Sequence, residues 1–158
     1  MSRNRKENCD NKVKSVSAHL EGKLEKIEQI LECLKQESIR GVPIVVEGDK
    51  DLQTLRHLSV QGSILCAKTG GKSRLDLLSQ IEESHAKEVI LLFDFDRRGK
   101  EWTETVRESL EKVRLKPDLT FWNQLRCLVS RDVKDIEGLD AYLKTLKKKT
   151  GQAPLEGI

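Results

Sequence analysis

The sequence predicts an α/β domain built on a mostly parallel sheet. Short apolar segments of the kind found in buried strands alternate with amphipathic stretches long enough for helices. The chain has 158 residues, which is enough to bury one core without disulfides or metals. No apolar run approaches the roughly 20 residues of a membrane-spanning helix. We therefore expect one domain with helices on both faces of its sheet.

The first 41 residues predict a basic, partly disordered segment followed by an amphipathic helix. Residues 1–12 are mostly charged or polar, and we expect disorder there. From residue 13 onwards apolar side chains recur mostly at spacings of three and four. They are Val13, Val16, Leu20, Leu24, Ile27, Leu31 and Leu34. This stripe predicts a helix ending near Ser38, which either packs against its own domain or associates with a protein partner or a second copy.

Beyond a break at residues 40–43, predicted strands and helices alternate. The strands are Val42–Val46, Ser63–Ala67 and Val89–Phe93, and the helices are Asp51–Leu58, Ser73–His85 and Gly99–Val113. Pro117 marks a further break, and residues 118–131 fit either a helix or a short strand. A C-terminal helix carries Ile136, Leu139, Leu143 and Leu146. We assign residues 42–150 to the domain and residues 151–158 to a tail.

Charge and cysteine usage narrow the class of protein. The net charge is +3, with cations gathered near both ends as solubilising tails or phosphate-contacting arms. The N-terminus lacks the apolar stretch of a secretory signal, so we expect a cytoplasmic protein. The four cysteines show no paired spacing, which indicates neither a zinc cage nor a disulfide framework. The 4% aromatic content argues against an extended base-stacking platform, for which Trp102, Trp122 and Phe121 are the candidates.

Acidic residues follow two of the predicted strands. Glu47 ends the segment "VPIVVEGDKD", and Asp94 and Asp96 lie in "EVILLFDFDRRGKE". Alternation along a strand places Asp94 and Asp96 on one side and Phe93 and Phe95 on the other. If the two strands are parallel neighbours, the three carboxylates lie within roughly 10 Å of one another.

Three such carboxylates repel one another unless something compensates their charge. Two like charges 4 Å apart cost about 4 kcal/mol at an effective dielectric constant of 20. Mg²⁺ suits carboxylate ligands and keeps waters or phosphate oxygens as further ligands. Arg97 and Arg98 would then hold a phosphate beside the metal. Each acid also has a structural interpretation, with Asp96 as a helix N-cap and Glu47 in an ion pair with Lys50.

The segment "CAKTGGKS", residues 66–73, resembles a phosphate loop but departs from its pattern. Cys66 stands where the first glycine is required. Ser73 and Asp76 also form a helix capping box, which is a sufficient structural reason for the serine. A nucleoside-triphosphate loop is therefore disfavoured, although Lys72 remains a candidate contact to phosphate at the helix N-terminus.

Together, "VVEGDKD" and "LLFDFDRRG" resemble the Toprim domain of topoisomerases, primases and a group of nucleases. The resemblance covers approximately residues 42–145. It implies a single compact domain with a central, mostly parallel four-stranded sheet flanked by helices, to which residues 1–41 add a helical extension. The segment "SRDVKDIEGLDAYL", residues 130–143, is similar to one found in small stand-alone Toprim proteins, many of them archaeal.

The resemblance also implies roles for the site residues. Glu47 becomes a general acid/base or metal ligand, and Asp94 and Asp96 become the residues that position Mg²⁺, or Mn²⁺ in its place. Arg97, Arg98, Lys72 and Lys134 are the candidate phosphate contacts. We expect metal-dependent phosphodiester cleavage of RNA or DNA, similar to the Toprim nuclease that matures ribosomal RNA or to primase-like proteins.

Two other functions stay open at this point. One is a non-catalytic Toprim module that binds nucleic acid or joins a complex. The other is a phosphatase with an aspartate nucleophile, which shares an apolar strand ending in D-x-D. The sole tyrosine, Tyr142, lies in a predicted helix, so the strand cleavage of topoisomerases is not expected.

Overall fold

A computed structural model describes the backbone of residues 3–68 and 74–151 and the side chains of residues 18–68 and 75–151. The described helices are α1 (Arg3–Ile39), α2 (Asp49–His57), α3 (Arg74–Glu83), α4 (Arg97–Lys112), α5 (Thr120–Val129) and α6 (Leu139–Lys149). The described strands are β1 (Ile44–Val46), β2 (Ile64–Cys66), β3 (Glu88–Leu92) and β4 (Lys116–Asp118). In these parts of the chain, no helix is both long and apolar enough to span a membrane.

The four strands form one parallel sheet in the order β2-β1-β3-β4. In the register of the sheet, Val46 at the end of β1 pairs with Cys66 on one side and with Leu92 on the other. The chain winds outward from β1 in one direction to β2 and then returns to place β3 on the opposite side. The carboxyl ends of β1 and β3 therefore form a topological switch point, where open α/β sheets bind their ligands.

The sheet separates two apolar layers because successive side chains of a strand point to opposite faces. On one face, Val45, Val89, Leu91 and Phe93 pack with buried residues of α3 and α4, namely Leu77, Ile81, Val106 and Leu110. On the other face, Ile44, Val46, Ile90 and Leu92 pack beneath α1, α2, α5 and α6. The predicted α/β class, with a four-stranded parallel sheet flanked by helices, is confirmed.

Helix α1 is packed into the second of these layers. Leu24, Ile27, Leu31 and Leu34 are all buried there, in contact with the layer that contains α5 and α6. This part of the predicted stripe therefore covers the domain's own core. The helix begins at Arg3 instead of Val13, where the sequence predicted it to start. Residues 3–12 contain neither glycine nor proline, so nothing in them interrupts the helical backbone.

Pro117 lies within β4 instead of marking a break. The strand is at the edge of the sheet, where a residue without an N–H group is tolerated. Lys116 N–H donates to the Lys87 carbonyl at 2.9 Å and begins the pairing with β3. The ambiguous segment that follows forms α5, and the Asp118 carboxylate accepts a hydrogen bond from Thr120 N–H at 2.9 Å at its start.

Candidate active site

Glu47 follows β1 directly and is the most strongly paired acid at the switch point. Its side chain is only 13% exposed, and Oε1 accepts a hydrogen bond from the Lys68 ammonium. Oε2 is buried and has no hydrogen-bond partner among the described residues. Burial acts to raise the pKa of Glu47, but the Asp94 carboxyl and the cations Lys68 and Arg98 outweigh it, so that the pKa is lowered. Glu47 is therefore ionised at neutral pH.

Asp94 follows β3, the neighbour of β1, and is half-buried. Its Oδ1 is also buried without a partner among the described residues. Burial and then the adjacent Glu47 carboxylate raise the pKa of Asp94 to about 8. If both side chains were ionised, neither could donate a hydrogen bond to the other. When Asp94 is protonated, its carboxyl group can donate one to Glu47. At neutral pH the pair is consequently one carboxylate and one carboxylic acid.

Asp96 has a different environment from Asp94. It is exposed, and its Oδ1 accepts a hydrogen bond from Gly99 N–H at 2.7 Å as the N-cap of α4. The alternation predicted for this segment is wrong, because Phe93 packs on the face that carries α4 and Phe95 packs on the opposite face. Strand β3 ends at Leu92, so a period of two no longer applies to the residues after it.

The segment carrying Asp94 is held in place by its neighbours. The indole N–H of Trp122 donates to the Phe93 carbonyl at 3.0 Å. The Phe95 N–H donates to the Lys134 carbonyl at 2.7 Å, which joins the segment to the loop before α6. A Cβ at Gly99 would lie 1.9 Å from the Asp94 carbonyl oxygen, so the start of α4 approaches Asp94 as closely as only glycine permits.

Asp51 is a buried acid that holds together two segments next to the site. It is 7% exposed, and its two oxygens accept hydrogen bonds from Gly48 N–H at 3.1 Å and Glu137 N–H at 3.0 Å. Burial raises its pKa despite these two donors. Asp51 thereby ties the turn after Glu47 to the loop before α6. Together with Asp135, it adds negative charge that contributes to the raised pKa of Asp94.

Lys68 is the site residue that the sequence analysis missed. It lies just beyond β2, and besides the ion pair with Glu47 its ammonium lies 5.1 Å from the centre of the Trp102 ring. The predicted partner of Glu47, Lys50, instead lies 3.9 Å from Glu137. The position of Lys68 in the sequence could have indicated this contact. Strands β1 and β2 end at the same edge of the sheet, so a cation that follows β2 faces an acid that follows β1.

The predicted phosphate contacts are in different situations. Arg98 acts electrostatically on Glu47, whereas Arg97 is 94% exposed and lies 3.4 Å from Glu101. The Lys134 ammonium donates to the Ser130 carbonyl at 3.0 Å. Lys72, like the rest of the glycine-containing loop at residues 69–73, lies outside the described residues.

The arrangement offers a divalent cation two ligands. No group of three or more histidine, cysteine, aspartate or glutamate side chains is placed to hold a metal in the described parts of the chain. The buried oxygens of Glu47 and Asp94, which no other described residue contacts by a hydrogen bond, nevertheless form a pair of hard donors at the switch point once both acids are ionised. Such a pair fits Mg²⁺, which is commonly held by one or two carboxylates with waters and phosphate oxygens completing its shell.

The parallel sheet, the glutamate after β1 and the D-x-D after β3 define the Toprim class of nucleic-acid enzymes and binding modules. The sequence model of the Toprim domain matches residues 42–122, and the chain belongs to this family. A Toprim domain indicates a function connected with nucleic acid, and Toprim domains generally bind Mg²⁺.

Within the family, the chain is similar to small archaeal proteins called UPF0292. It is 34% identical to one from Methanosarcina acetivorans over 132 residues, which span 82% of this chain and 88% of the relative. It is 33% identical to one from Methanocaldococcus jannaschii over 120 residues, which span 75% and 91%. A solved structure, a putative protein from Aquifex aeolicus, has a TM-score of 0.59 at 28% identity and covers 69% of this chain and 94% of its own. The predicted resemblance to small stand-alone Toprim proteins is confirmed.

Proposed function

We propose that the protein is a Mg²⁺-dependent enzyme of the cytoplasm that cleaves phosphodiester bonds in RNA or DNA. The observation that carries the proposal is the adjacent pair of Glu47 and Asp94, each with a buried oxygen that has no described partner, at the switch point of a Toprim sheet. Two adjacent, partly buried acids destabilise a fold, because their charges repel each other and lose contact with water. A bound cation offsets this loss of stability.

Glu47 and Asp94 would hold the metal, with Mn²⁺ as a substitute for Mg²⁺. When bound, the metal supplies positive charge that stabilises the charge developing on the phosphate. Asp96 remains the proposed third acid of the site. Its Oδ1 caps α4, but its carboxylate is exposed, and its second oxygen is available to a water or to the metal.

The chain's own cations fit the substrate side of the reaction. Lys68 keeps the Glu47 carboxylate ionised and fixed in orientation, which suits a residue that accepts or delivers a proton. Arg98 adds a second positive charge beside Glu47 and is placed to meet a phosphate oxygen. Lys72, Lys134 and Arg97 stay proposed as outer contacts to the nucleic-acid backbone.

One observation favours a second function, a Toprim module that binds nucleic acid without cleaving it. No cluster of three acids is assembled among the described residues, since Asp96 is engaged as the cap of α4. The aspartate-nucleophile phosphatase has less support, because the strand that ends in D-x-D would normally come first in such an enzyme, whereas here β1 and β2 precede it.

A cleavage assay on a mixture of structured RNAs and DNAs tests the proposal. We expect cleavage with Mg²⁺ or Mn²⁺ that stops in EDTA and falls by roughly 100-fold or more in Glu47→Gln and Asp94→Asn. Glu108→Gln, an exposed acid on the same α4 that carries Arg98, is the matched control and should cleave normally. If the wild type binds nucleic acid, cuts none of it, and both site variants bind equally well, the non-catalytic module is the correct function.

A further inference from the structure

A cavity of about 300 Å³ opens on α4 beside the carboxylate pair. The described residues that line it are Glu101, Trp102, Thr105 and Val106. This volume lies at the lower end of the range for small-ligand sites, roughly 300–1,000 Å³. Trp102, a stacking candidate in the sequence, is among the lining residues, and none of the proposed catalytic groups is.

Trp102 connects this cavity to the candidate active site. Its ring centre lies 5.1 Å from the Lys68 ammonium, which in turn pairs with Glu47. On another side the ring packs against Phe93, with centroids 5.9 Å apart and planes tilted by 45°. Phe93 fixes the orientation of the indole, and the ring remains half-buried with part of it forming the cavity wall. A ligand in the cavity would therefore be separated from Glu47, the proposed catalytic acid, by two side chains, Trp102 and Lys68.

Trp102 is the aromatic side chain that is available at this edge of the sheet. The other two stacking candidates, Trp122 and Phe121, are 5% and 6% exposed and pack in the core, so neither is accessible to a base. Phe93 and Phe95 are buried as well. Besides Trp102, the half-buried aromatic ring among the described residues is that of Tyr142, whose hydroxyl donates to Asp132 at 3.0 Å, so Trp102 offers one ring to one base and no extended platform.

The distribution of charge around the cavity indicates where the base and the phosphate of a nucleotide would lie. None of the described lining residues is itself a cation, and the Glu101 carboxylate is already paired with Arg97 at 3.4 Å. The cations Lys68 and Arg98 lie instead beside Glu47, where a phosphate would be held. The cavity thus suits the uncharged, flat base of a nucleotide, and the hydroxyl of Thr105 and the Glu101 carboxylate offer acceptors to its edge.

We propose that the cavity beside Trp102 binds the unpaired base of a nucleotide whose phosphate lies at the Glu47–Lys68 pair. This inference rests on the proposed function and specifies its substrate. A base inside a duplex is stacked on both faces and paired along one edge, so it cannot enter while it stays in the helix. The substrate is therefore unpaired at this nucleotide, as in a loop, an overhang or a free strand.

Binding of labelled ten-nucleotide single strands, DNA and RNA, is compared with binding of the duplexes that they form. The titrations use full-length protein at low salt, once in EDTA and once with Ca²⁺, and follow fluorescence anisotropy. We expect Trp102→Leu to weaken single-strand binding roughly tenfold or more and to leave duplex binding unchanged. Trp102→Phe keeps an aromatic face against Phe93 and should retain most of the affinity. Val113→Ala, an exposed apolar residue that follows α4, is the control and should bind as the wild type does.

Tryptophan emission gives a second measurement that is independent of cleavage. Trp122 is buried, so quenching on single-strand binding should come from Trp102 and disappear in Trp102→Phe. Unchanged single-strand affinity in Trp102→Leu, or equal losses for single strands and duplexes, would overturn the base site and leave the proposed function standing. Failure of the wild type to bind any of these nucleic acids would overturn both.

Discussion

At the scale of single residues, the site is defined by how two adjacent acids divide one proton. Both acids are partly buried. One oxygen of Glu47 forms an ion pair with Lys68, whereas Asp94 has no ion pair among its described contacts. Together with the hydrogen bond from Asp94 and the charge of Arg98, the Lys68 ammonium favours ionisation of Glu47 over that of Asp94. It lowers the pKa of Glu47, and the resulting negative charge, added to burial, raises the pKa of Asp94. The asymmetry of the pair thus originates at the end of β2.

The raised pKa of Asp94 predicts that the metal-free protein loses stability as the pH rises. The carboxyl is protonated in the folded state up to about pH 8, whereas in the unfolded chain it ionises near its ordinary value of about 4. Its contribution to stability is therefore complete below about pH 4 and is lost as the pH rises through 8. Urea denaturation in EDTA between pH 5 and 9 should show a smaller decline for Asp94→Asn than for the wild type.

The difference in unfolding free energy between the two proteins isolates this group, because every other titrating residue is common to both. We expect Asp94→Asn to gain stability relative to the wild type with increasing pH. A difference that stays constant across the range would mean that Asp94 titrates normally in the folded protein. Asp49→Asn is a suitable control, since this exposed acid lies in the first turn of α2.

Lys68→Met should impair the proposed activity without disturbing the fold. Removing the ammonium leaves Glu47 with Arg98 as its remaining cation, so the pKa of Glu47 rises, and the carboxylate also loses the contact that fixes its orientation. We expect the rate to fall by roughly 10- to 100-fold at pH 7 and the acid limb of its pH profile to move to higher pH. Lys68→Arg should restore most of the rate. Lys50→Met, at a lysine whose side chain is 77% exposed, is the control, and an unshifted profile in Lys68→Met would contradict the role.

The sequence predicted Glu47 and Asp94 correctly as neighbours at one sheet edge, because the position of an acid after a strand follows from the order of elements. It offered the N-cap of α4 as one interpretation of Asp96 but could not decide between that role and a metal ligand, and it did not predict that Lys68 pairs with Glu47. Both depend on where a side chain points after the strand has ended, and this is set by packing. The Lys68 contact joins residues 21 positions apart, which no local pattern connects.

At the scale of elements, the turn from β3 into α4 determines where Asp94 lies. The turn is held by the Trp122 indole on the Phe93 carbonyl and by the close approach of Gly99 to Asp94. The sequence of this turn predicted an apolar strand followed by an N-cap and a helix. It did not predict the role of Gly99, since the need for glycine arises from contact with a backbone five residues earlier.

Gly99→Ala should therefore damage both the fold and the site. The new methyl group would lie 1.9 Å from the Asp94 carbonyl oxygen, and neither backbone segment can move without shifting the carboxylate pair. We expect a loss of about 1–3 kcal/mol of stability, as in other overpacked sites, measured by urea denaturation. Binding of nucleic acid in the presence of Ca²⁺, followed by anisotropy, should weaken at a temperature where the variant is still folded.

The matched control for this change is Gly22→Ala in the middle of α1. A Cβ there meets no atom within 4 Å, and alanine favours helix more than glycine does. This variant should gain up to about 1 kcal/mol of stability. If Gly99→Ala behaved in the same way, the close approach of α4 to Asp94 would not exist in solution.

At the scale of the whole molecule, the alternation of strands and helices gave the fold class, but the order of strands in the sheet could not be derived from it. Whether β2 or β3 lies beside β1 depends on the direction of each crossover, and only the three-dimensional fold places β1 between both. The same limit applied to α1. Its apolar stripe was visible, yet the sequence did not decide whether the stripe faces its own domain or another chain.

In the structure, the described part of the α1 stripe faces its own domain, and this leads to the last prediction. Leu34 is fully buried between α1 and the layer formed with α5 and α6, so Leu34→Ala would leave a cavity inside the domain. We expect a loss of about 2–5 kcal/mol of stability with an unchanged elution volume in gel filtration. Ile39→Ala, at the 75% exposed end of the same helix, should change neither. A Leu34→Ala protein that kept its stability but shifted to a smaller species would mean that the stripe joins two copies, and that α1 is not part of the core of a single chain.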